Sequence, residues 1–363
     1  MKPFKVCLTG GGTAGHVTPH FALVPEFDRL SWTYYYIGSK GIEKELVTSR
    51  GIRFHTIATG KLRRYFSVQN ALDIFKVLVG CVQAFFILLF NRPQVVFSKG
   101  GYVAVPVALA ARVLGIPVVS HESDVTPGLA TKIIAKFARR MIFTFPATGR
   151  HLGPSAVHTG TPVRRELFAG DVRAGLRLCG FADDKRPVIL VMGGSQGALK
   201  INQAMEKILP ALVQKYRVIH LTGAGKGLSF RDPSYKGFEF LKEELADVLA
   251  LADVVVSRSG ANSIFEFLAL KKPMLLIPLE EGSRGDQVLN AEEFHKSGWA
   301  HVLREKDLTP ERFSSEIESL IADKDTIRAA QQRFDGAGSA GQIIDVLRTA
   351  SGVPLESSSR TFA

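Results

Sequence analysis

The sequence predicts an α/β protein made of two doubly wound, Rossmann-like domains facing across a cleft. Three observations carry this. Short apolar runs alternate with helical stretches, the pattern of β-α-β units that build a parallel sheet. The alternation restarts about halfway along the chain. Each half also places a glycine turn between an apolar strand and a helix, GGTAG at 11–15 and GGSQG at 193–197. The chain's 363 residues fit two domains of roughly 150 residues each.

In the first half, KVCLTG (5–10) reads as a strand ending in glycine, followed by strands at 32–38 and 53–58. PQVVFSKGG (93–101) is the next, then a helix at 103–115 and strands at 116–122 and 140–145. These runs lack polar alternation, which suits strands buried on both faces. The second half opens with a strand, turn and helix at 186–214, and strands follow at 216–223, 252–260 and 272–279. The join falls near HTGTPVRRELF (158–168). The expected division is 1–161 and 162–337, with a helix at about 338–352 packing back on the first domain and a frayed tail at 353–363. In such sheets ligands sit at the carboxyl ends of the strands, over helix N-termini, so both glycine turns should line the cleft.

Composition narrows the partners. The chain is 46% hydrophobic with net charge +12, which suits a folded protein with an anionic partner: a phosphorylated substrate or a membrane surface. With no Lys/Arg tail and no basic aromatic RNA motif, nucleic acid is not expected. Cys7, Cys81 and Cys179 are far apart with no C-x-x-C spacing, so buried thiols are expected rather than disulfides or zinc. No secretory signal is expected. The longest apolar run, 77–90, is interrupted by Gln83 and falls short of the roughly 18 residues of a spanning helix.

Gly10, Gly12 and Gly15 have the spacing G-x-G-x-x-G, which brings backbone N–H groups towards a phosphate or an oxyanion. A tight turn alone would use the same glycines. A dinucleotide site also needs an acid at the end of the second strand, and YYYIGSKG (34–41) has none. Neither turn continues into the G-K-[ST] of a Walker loop. His16 follows the first turn, at the start of an expected helix HVTPHFALVPEF. A positive helix end would favour the neutral imidazole, which can act as a base; the plainer role is packing, and His20 has packing or capping as its only expected role.

In the second half, SRSGANSIFEF (257–267) leads from a strand through a turn into a helix. Glu266 there suits the two hydroxyls of a ribose, or else caps the helix. Asp286, Gln287 and Asn290 cluster at a later helix start, where amides can donate to and accept from sugar hydroxyls.

Together, GGTAGH (11–16), HES (121–123), GTPVR (160–164), GGSQGA (193–198), SRSGA with its glutamate (257–266) and DQVLNA (286–291) resemble the MurG family of GT-B glycosyltransferases. The resemblance runs in order through nearly the whole chain. It implies inverting transfer of N-acetylglucosamine from UDP-N-acetylglucosamine to the 4-hydroxyl of the muramoyl sugar of lipid I, giving lipid II, with no metal or other cofactor. It implies His16 as the base, and Thr13, Ala14 and Gly15 at the donor–acceptor boundary. Arg164 and Ser195 would take the donor diphosphate. Ala261, Asn262 and Ser263 would meet the nucleotide, Glu266 the ribose and Gln287 the transferred sugar, with Asp286 and Asn290 beside it. Arg258 would support the turn.

Two positions depart from the family pattern. Asp124 stands where an amide near donor or acceptor is usual, so a contact is lost or a second base is gained. Ala14 replaces a common glycine and would tolerate positive φ poorly. Neighbouring possibilities are another lipid acceptor, an epimerase of the same build, or a non-catalytic sugar-nucleotide or lipid-binding protein.

The implied acceptor is lipid-linked, which places the enzyme at the cytoplasmic face of the bacterial inner membrane as a peripheral protein. The segment 61–94 has the composition for this. Lys61, Arg63, Arg64, Lys76 and Arg92 would meet anionic headgroups, with further charge at 131–140. Phe75, Leu78, Val79, Phe85 and Phe86 would enter the acyl boundary. Residues 61–82 are expected at the interface and the later ones buried.

Overall fold

The structure, a computed structural model, describes residues 3–60, 68–194, 197–281, 284–334, 336 and 338–353. The chain forms two compact units, Met1–Pro162 with Ala337–Ala363, and Val163–Gly336.

The first unit is built on seven parallel strands: β1 (Lys5–Thr9), β2 (Thr33–Gly38), β3 (Phe54–Thr56), β4 (Val95–Ser98), β5 (Val118–Glu122), β6 (Arg140–Phe143) and β7 (Val157–His158), in the order β3-β2-β1-β4-β5-β6-β7. Their apolar runs are continuous because both faces are covered. Val6, Leu8, Tyr36, Phe97 and Val119 point to one face, where helix Ser339–Ala350 brings Ile343, Ile344 and Leu347. Cys7, Tyr35, Ile37, Val96 and Val118 point to the other. There helices Val68–Asn91 and Ala104–Val113 contribute Ala84, Leu88, Val107, Ala108 and Ala111.

The second unit has six parallel strands: β8 (Val188–Met192), β9 (Arg217–Leu221), β10 (Tyr235–Phe238), β11 (Val254–Ser257), β12 (Met274–Leu276) and β13 (Ala300–Val302), ordered β10-β9-β8-β11-β12-β13. Its core joins Ile189, Val191, Val218, Val254, Val256 and Leu275 to helices Leu199–Lys215 and Pro310–Gln331.

Three edge or near-edge strands, β7, β10 and β13, have no counterpart in the sequence reading. They are two to four residues long, and β10 reads YKGF, too short and too polar to stand out. The helix expected from His16 onward is also not one helix. A 3-10 turn at Ala14–His16 is followed by separate helices Thr18–Phe21 and Val24–Arg29. Pro19 and Pro25 each sit in the first turn of a new segment, where a missing N–H costs nothing but where a preceding helix cannot continue. His16 therefore lacks the long helix whose positive end was to favour its neutral form.

Candidate active site

In the first unit, β1 is the strand at which the winding direction reverses: β2 lies on one side and β4 on the other. Ligands of doubly wound sheets bind at this point. Here residues 10–16 follow β1 and residues 99–101 follow β4. The two turns press together. A Cβ on Gly101 (φ +77°) would lie 2.3 Å from the Gly11 carbonyl oxygen, and one on Gly10 would lie 2.4 Å from the carbonyl oxygen of His16. Gly12 takes the left-handed conformation, φ +85°, whereas Ala14 opens the right-handed 3-10 turn. The alanine is therefore not strained.

Glu43, which the sequence did not single out, braces this turn. It is buried and accepts hydrogen bonds from the N–H of Gly12 at 3.3 Å, from the N–H of Ser39 at 3.1 Å and from the Ser39 hydroxyl. The only signal was an acid four residues after a polar strand end, a common helix-start feature.

His16 is half-buried, and its Nδ1 lies 3.0 Å from Thr13 Oγ1. When Nδ1–H donates to that hydroxyl, Nε2 is the lone-pair nitrogen that can take a proton. Thr13 and Gly15 are exposed and Ala14 half-buried on the same turn. His20 is fully buried; neither ring nitrogen makes a hydrogen bond of ordinary geometry. Its ring packs edge-on against Tyr36 and Phe97. Burial first, then the charges of Lys99 and His16, hold its pKa well below the usual imidazole value. It is a core residue.

The end of β5 adds a polar cluster. Lys99, 2% exposed, donates from Nζ to Ser123 Oγ at 2.6 Å and pairs with His121 Nδ1 at 2.9 Å. His121 Nε2 lies 3.0 Å from Thr144 Oγ1. Burial pushes the Lys99 ammonium down to about 7, against the opposing charges of Glu122 and Asp124. Burial and the Lys99 charge keep His121 neutral. Asp124 is half-buried; its N–H donates to Glu122 and its carbonyl accepts from the Thr148 hydroxyl. Lys99 has one signal in the sequence, a lysine directly after the apolar strand VVFS.

In the second unit the winding reverses between β8 and β11. The glycine turn after β8 is again too tight for side chains: a Cβ on Gly197 (φ +69°) would lie 2.1 Å from the Thr222 carbonyl oxygen. Ser195, within that turn, lies outside the described residues. After β11, residues 257–260 lead into helix Ala261–Ala269, with Ala261, Asn262 and Ser263 in its first turn. Their N–H groups sit where a helix end favours an anion.

Arg164 and Glu266 meet directly. Arg164 Nε and Nη2 donate to the two Glu266 oxygens at 2.7 and 3.0 Å, a fork-to-fork pair with side chains 20% and 15% exposed. Burial works against the guanidinium charge, but the hydrogen bonds and charge of Glu266 outweigh it and raise its pKa.

Other expected site residues brace the turn. Arg258 donates to the carbonyls of Ile277 and Pro278 and to Glu305. Asn290 is fully buried and donates to the Ser259 carbonyl at 3.2 Å. Gln287, on helix Asp286–Lys296, accepts the Leu279 N–H at 3.0 Å through its amide oxygen, which turns its NH2 group into the available donor end. Asp286 pairs with Arg284 at 2.8 Å.

Residues 6–143 match the glycosyltransferase family 28 N-terminal domain, and residues 188–342 match the glycosyltransferase family 28 C-terminal domain. A Clostridium kluyveri protein, named UDP-N-acetylglucosamine–N-acetylmuramyl-(pentapeptide) pyrophosphoryl-undecaprenol N-acetylglucosamine transferase, is 48% identical over 328 residues, 89% of this chain and 92% of the relative. A Clostridium perfringens protein of the same name is 46% identical over 354 residues, 96% of this chain and 99% of the relative. Among solved structures, Acinetobacter baumannii MurG aligns with a TM-score of 0.74 at 24% identity, covering 96% of this chain and 100% of that one. At that identity the structural likeness speaks for the fold.

Proposed function

The chain belongs to glycosyltransferase family 28, and from its likeness to relatives named for this transfer we infer that it transfers N-acetylglucosamine from UDP-N-acetylglucosamine to lipid I, making lipid II for peptidoglycan. The two parallel-sheet units are those of a GT-B glycosyltransferase. The observation that carries the chemistry is the His16–Thr13 pair on a glycine turn at the first unit's switch point.

In the proposed reaction, Nδ1–H of His16 donates to Thr13, and Nε2 takes the proton from the acceptor's 4-hydroxyl. The freed oxygen attacks the anomeric carbon from the side opposite UDP. The bond to UDP breaks with its electron pair going to the phosphate oxygen, so the centre inverts. Backbone N–H groups of the glycine turns and the charge of Arg164 meet the developing diphosphate charge. Glu266 takes the ribose hydroxyls and Gln287 donates to the transferred sugar. Activity is expected to persist in EDTA.

Membrane contact falls to helix Val68–Asn91. Ile74, Leu78, Val82, Phe86 and Phe90 recur every four residues, and each is at least 50% exposed, with Phe75 beside them. The expectation that only residues up to 82 are interfacial is too narrow: the exposed stripe runs on to Phe90, 80% exposed, while Ala84 and Leu88 take the core face with Phe85 and Ile87 packed beside them. The part Asp73–Asn91 is long and apolar enough to cross a membrane. Its packing against Ala104–Val113 instead favours lying in the interface with one face submerged. Lys61, Arg63 and Arg64 lie outside the described residues.

The test is incubation with labelled UDP-N-acetylglucosamine and a short-chain lipid I analogue. Labelled disaccharide product is expected, with His16→Ala lowering kcat by about 100-fold or more at nearly unchanged UDP affinity. Transfer of the labelled sugar to a different lipid, with none to lipid I, would remove this reading. Turnover that survives in His16→Ala but collapses in Asp124→Asn would move the base to Asp124.

A further inference from the structure

The core of the second unit holds a polar network that the proposed mechanism does not use. His220 lies in β9 beside Val191 of β8, Asn202 lies in helix Leu199–Lys215, and Thr222 follows β9 directly. The three are 0%, 3% and 1% exposed. Asn202 Nδ2 donates to the Thr222 carbonyl at 2.9 Å. A carbonyl can only accept, so the amide oxygen is the end that faces His220, 3.1 Å from Nε2. Burial pulls the His220 pKa down to about 4. The neutral ring therefore carries its proton on Nε2 and turns Nδ1 to the Tyr235 hydroxyl, 3.5 Å away.

Polar side chains in an apolar core cost stability unless they are paired, and a phenylalanine would fill the same space. What histidine adds is the direction in which the hydrogen bonds run, from His220 to Asn202 and from Asn202 to the Thr222 carbonyl. That carbonyl is the atom on which the second glycine turn rests. A Cβ on Gly197 would stand 2.1 Å from its oxygen and 2.9 Å from the Gly223 Cα. Asn202 also holds the turn from the helix side, because its backbone N–H donates to the Ala198 carbonyl at 2.9 Å. The Thr222 N–H is in turn held by the Phe238 carbonyl at 2.9 Å. Gly197, Ala198 and the start of the helix are thus located through Asn202, whose amide oxygen is held by His220.

We propose that His220 is a positioning residue for the donor: acting through Asn202, it holds the Thr222 carbonyl against Gly197 and so fixes the end of the second glycine turn and the first turn of helix Leu199–Lys215, where the UDP diphosphate is received. Fully buried, His220 does not touch the substrate. Placing the diphosphate at this turn rests on the transferase reading above. The close contact blocks movement of the carbonyl towards Gly197, so loss of the restraint from Asn202 frees movement in the other direction and leaves the turn less well fixed. Backbone donors aimed at a charge are effective only while their geometry is set beforehand.

The test is UDP binding by calorimetry, with donor and acceptor KM measured beside it. His220→Phe keeps an aromatic ring in place and removes its N–H. UDP Kd and donor KM are expected to rise about tenfold, with acceptor KM unchanged. His220→Gln returns an N–H near the position of Nε2 and should bring UDP Kd back to within about threefold of wild type. Asn202→Ala should match His220→Phe, and the double variant should be no worse than Asn202→Ala alone, since the effect of His220 passes through Asn202. Unchanged UDP affinity in His220→Phe, a His220→Gln no better than His220→Phe, losses that add in the double variant, or an equal rise in acceptor KM would each overturn the assignment. If His220→Phe does not fold, Asn202→Ala decides: weaker UDP binding at unchanged acceptor KM supports the proposal, and unweakened binding refutes it. The transferase reading fails separately. A wild-type protein that binds UDP but transfers nothing to lipid I would remove that reading, and the UDP affinities of the variants would still judge His220.

Discussion

Arg164 and Glu266 were each assigned a ligand by resemblance, yet the structure makes them each other's partner. The two functions are compatible. Arg164 uses Nε and Nη2 on the carboxylate, which leaves the Nη1 edge of the fork directed elsewhere, and each carboxylate oxygen retains a lone pair for a hydroxyl. The pair then fixes both groups for the nucleotide, which a lysine could not do, having no planar fork. Arg164→Lys and Glu266→Gln should each weaken UDP binding about tenfold, and a double-mutant cycle read by calorimetry should show coupling of about 0.5–3 kcal/mol. Additive losses would mean that the pair is only structural. His20 makes the opposite case. A buried imidazole whose ring nitrogens make no hydrogen bond of ordinary geometry costs stability, and Phe would keep the edge contacts to Tyr36 and Phe97. His20→Phe should therefore stabilise the first unit by about 1–3 kcal/mol. The sign of the pH dependence follows from the lowered pKa: between that value and 6.5 the unfolded chain binds a proton that the folded one does not, so wild type loses stability as pH falls below 6.5. Urea unfolding at pH 7.5 and 5.5 should show the larger gain at the lower pH.

At the scale of elements, the helix Val68–Asn91 shows what a sequence can and cannot reveal. Its apolar character was plain, and so was the choice between core and membrane. Which residues face which was not, because apolar residues occupy nearly every position and the period carries no contrast. Only the packing partner settles it: Gly80 lies so close to the Ala58 carbonyl oxygen that a Cβ there would stand at 2.1 Å, which turns Ala84 and Leu88 inward and the Phe75–Leu78–Phe86 side outward. The long buried strands were legible for the converse reason, since β-branched runs bounded by glycine have few other uses. Short edge strands such as β10 and the proline-broken segments after His16 were not, as each is decided by neighbours rather than by its own pattern. The helix assignment yields a measurement. Phe75→Ser with Phe86→Ser should weaken partition onto vesicles of anionic phospholipid, read by flotation, by about 100-fold or more, at about 1.5–3 kcal/mol per buried phenylalanine face, while leaving the thermal transition nearly unchanged because both side chains are exposed. Equal flotation of the variant would place membrane contact elsewhere.

Across the whole molecule, the two units repeat one device: a glycine turn at the point where the sheet's winding reverses, in which glycines such as Gly10 and Gly197 lie too close to neighbouring backbone for a side chain. That repetition was visible in the sequence as GGTAG and GGSQG. The division of labour was not visible in the turns themselves, because either can hold a phosphate. It rests on what surrounds them: the first has His16 and the neutral, buried His121, and the second has the Arg164–Glu266 pair. If that assignment is right, UDP alone should act on the second unit. At 100 times its Kd, UDP would stabilise the unit that binds it by about 2.7 kcal/mol, which slows exchange of amides that open only with that unit about 100-fold. Hydrogen exchange followed by mass spectrometry should show this protection in peptides spanning 188–198 and 254–269, with residues 5–16 unchanged. Protection confined to 5–16 would reverse the roles of the two units, and His16 would then belong to the donor side rather than to the acceptor.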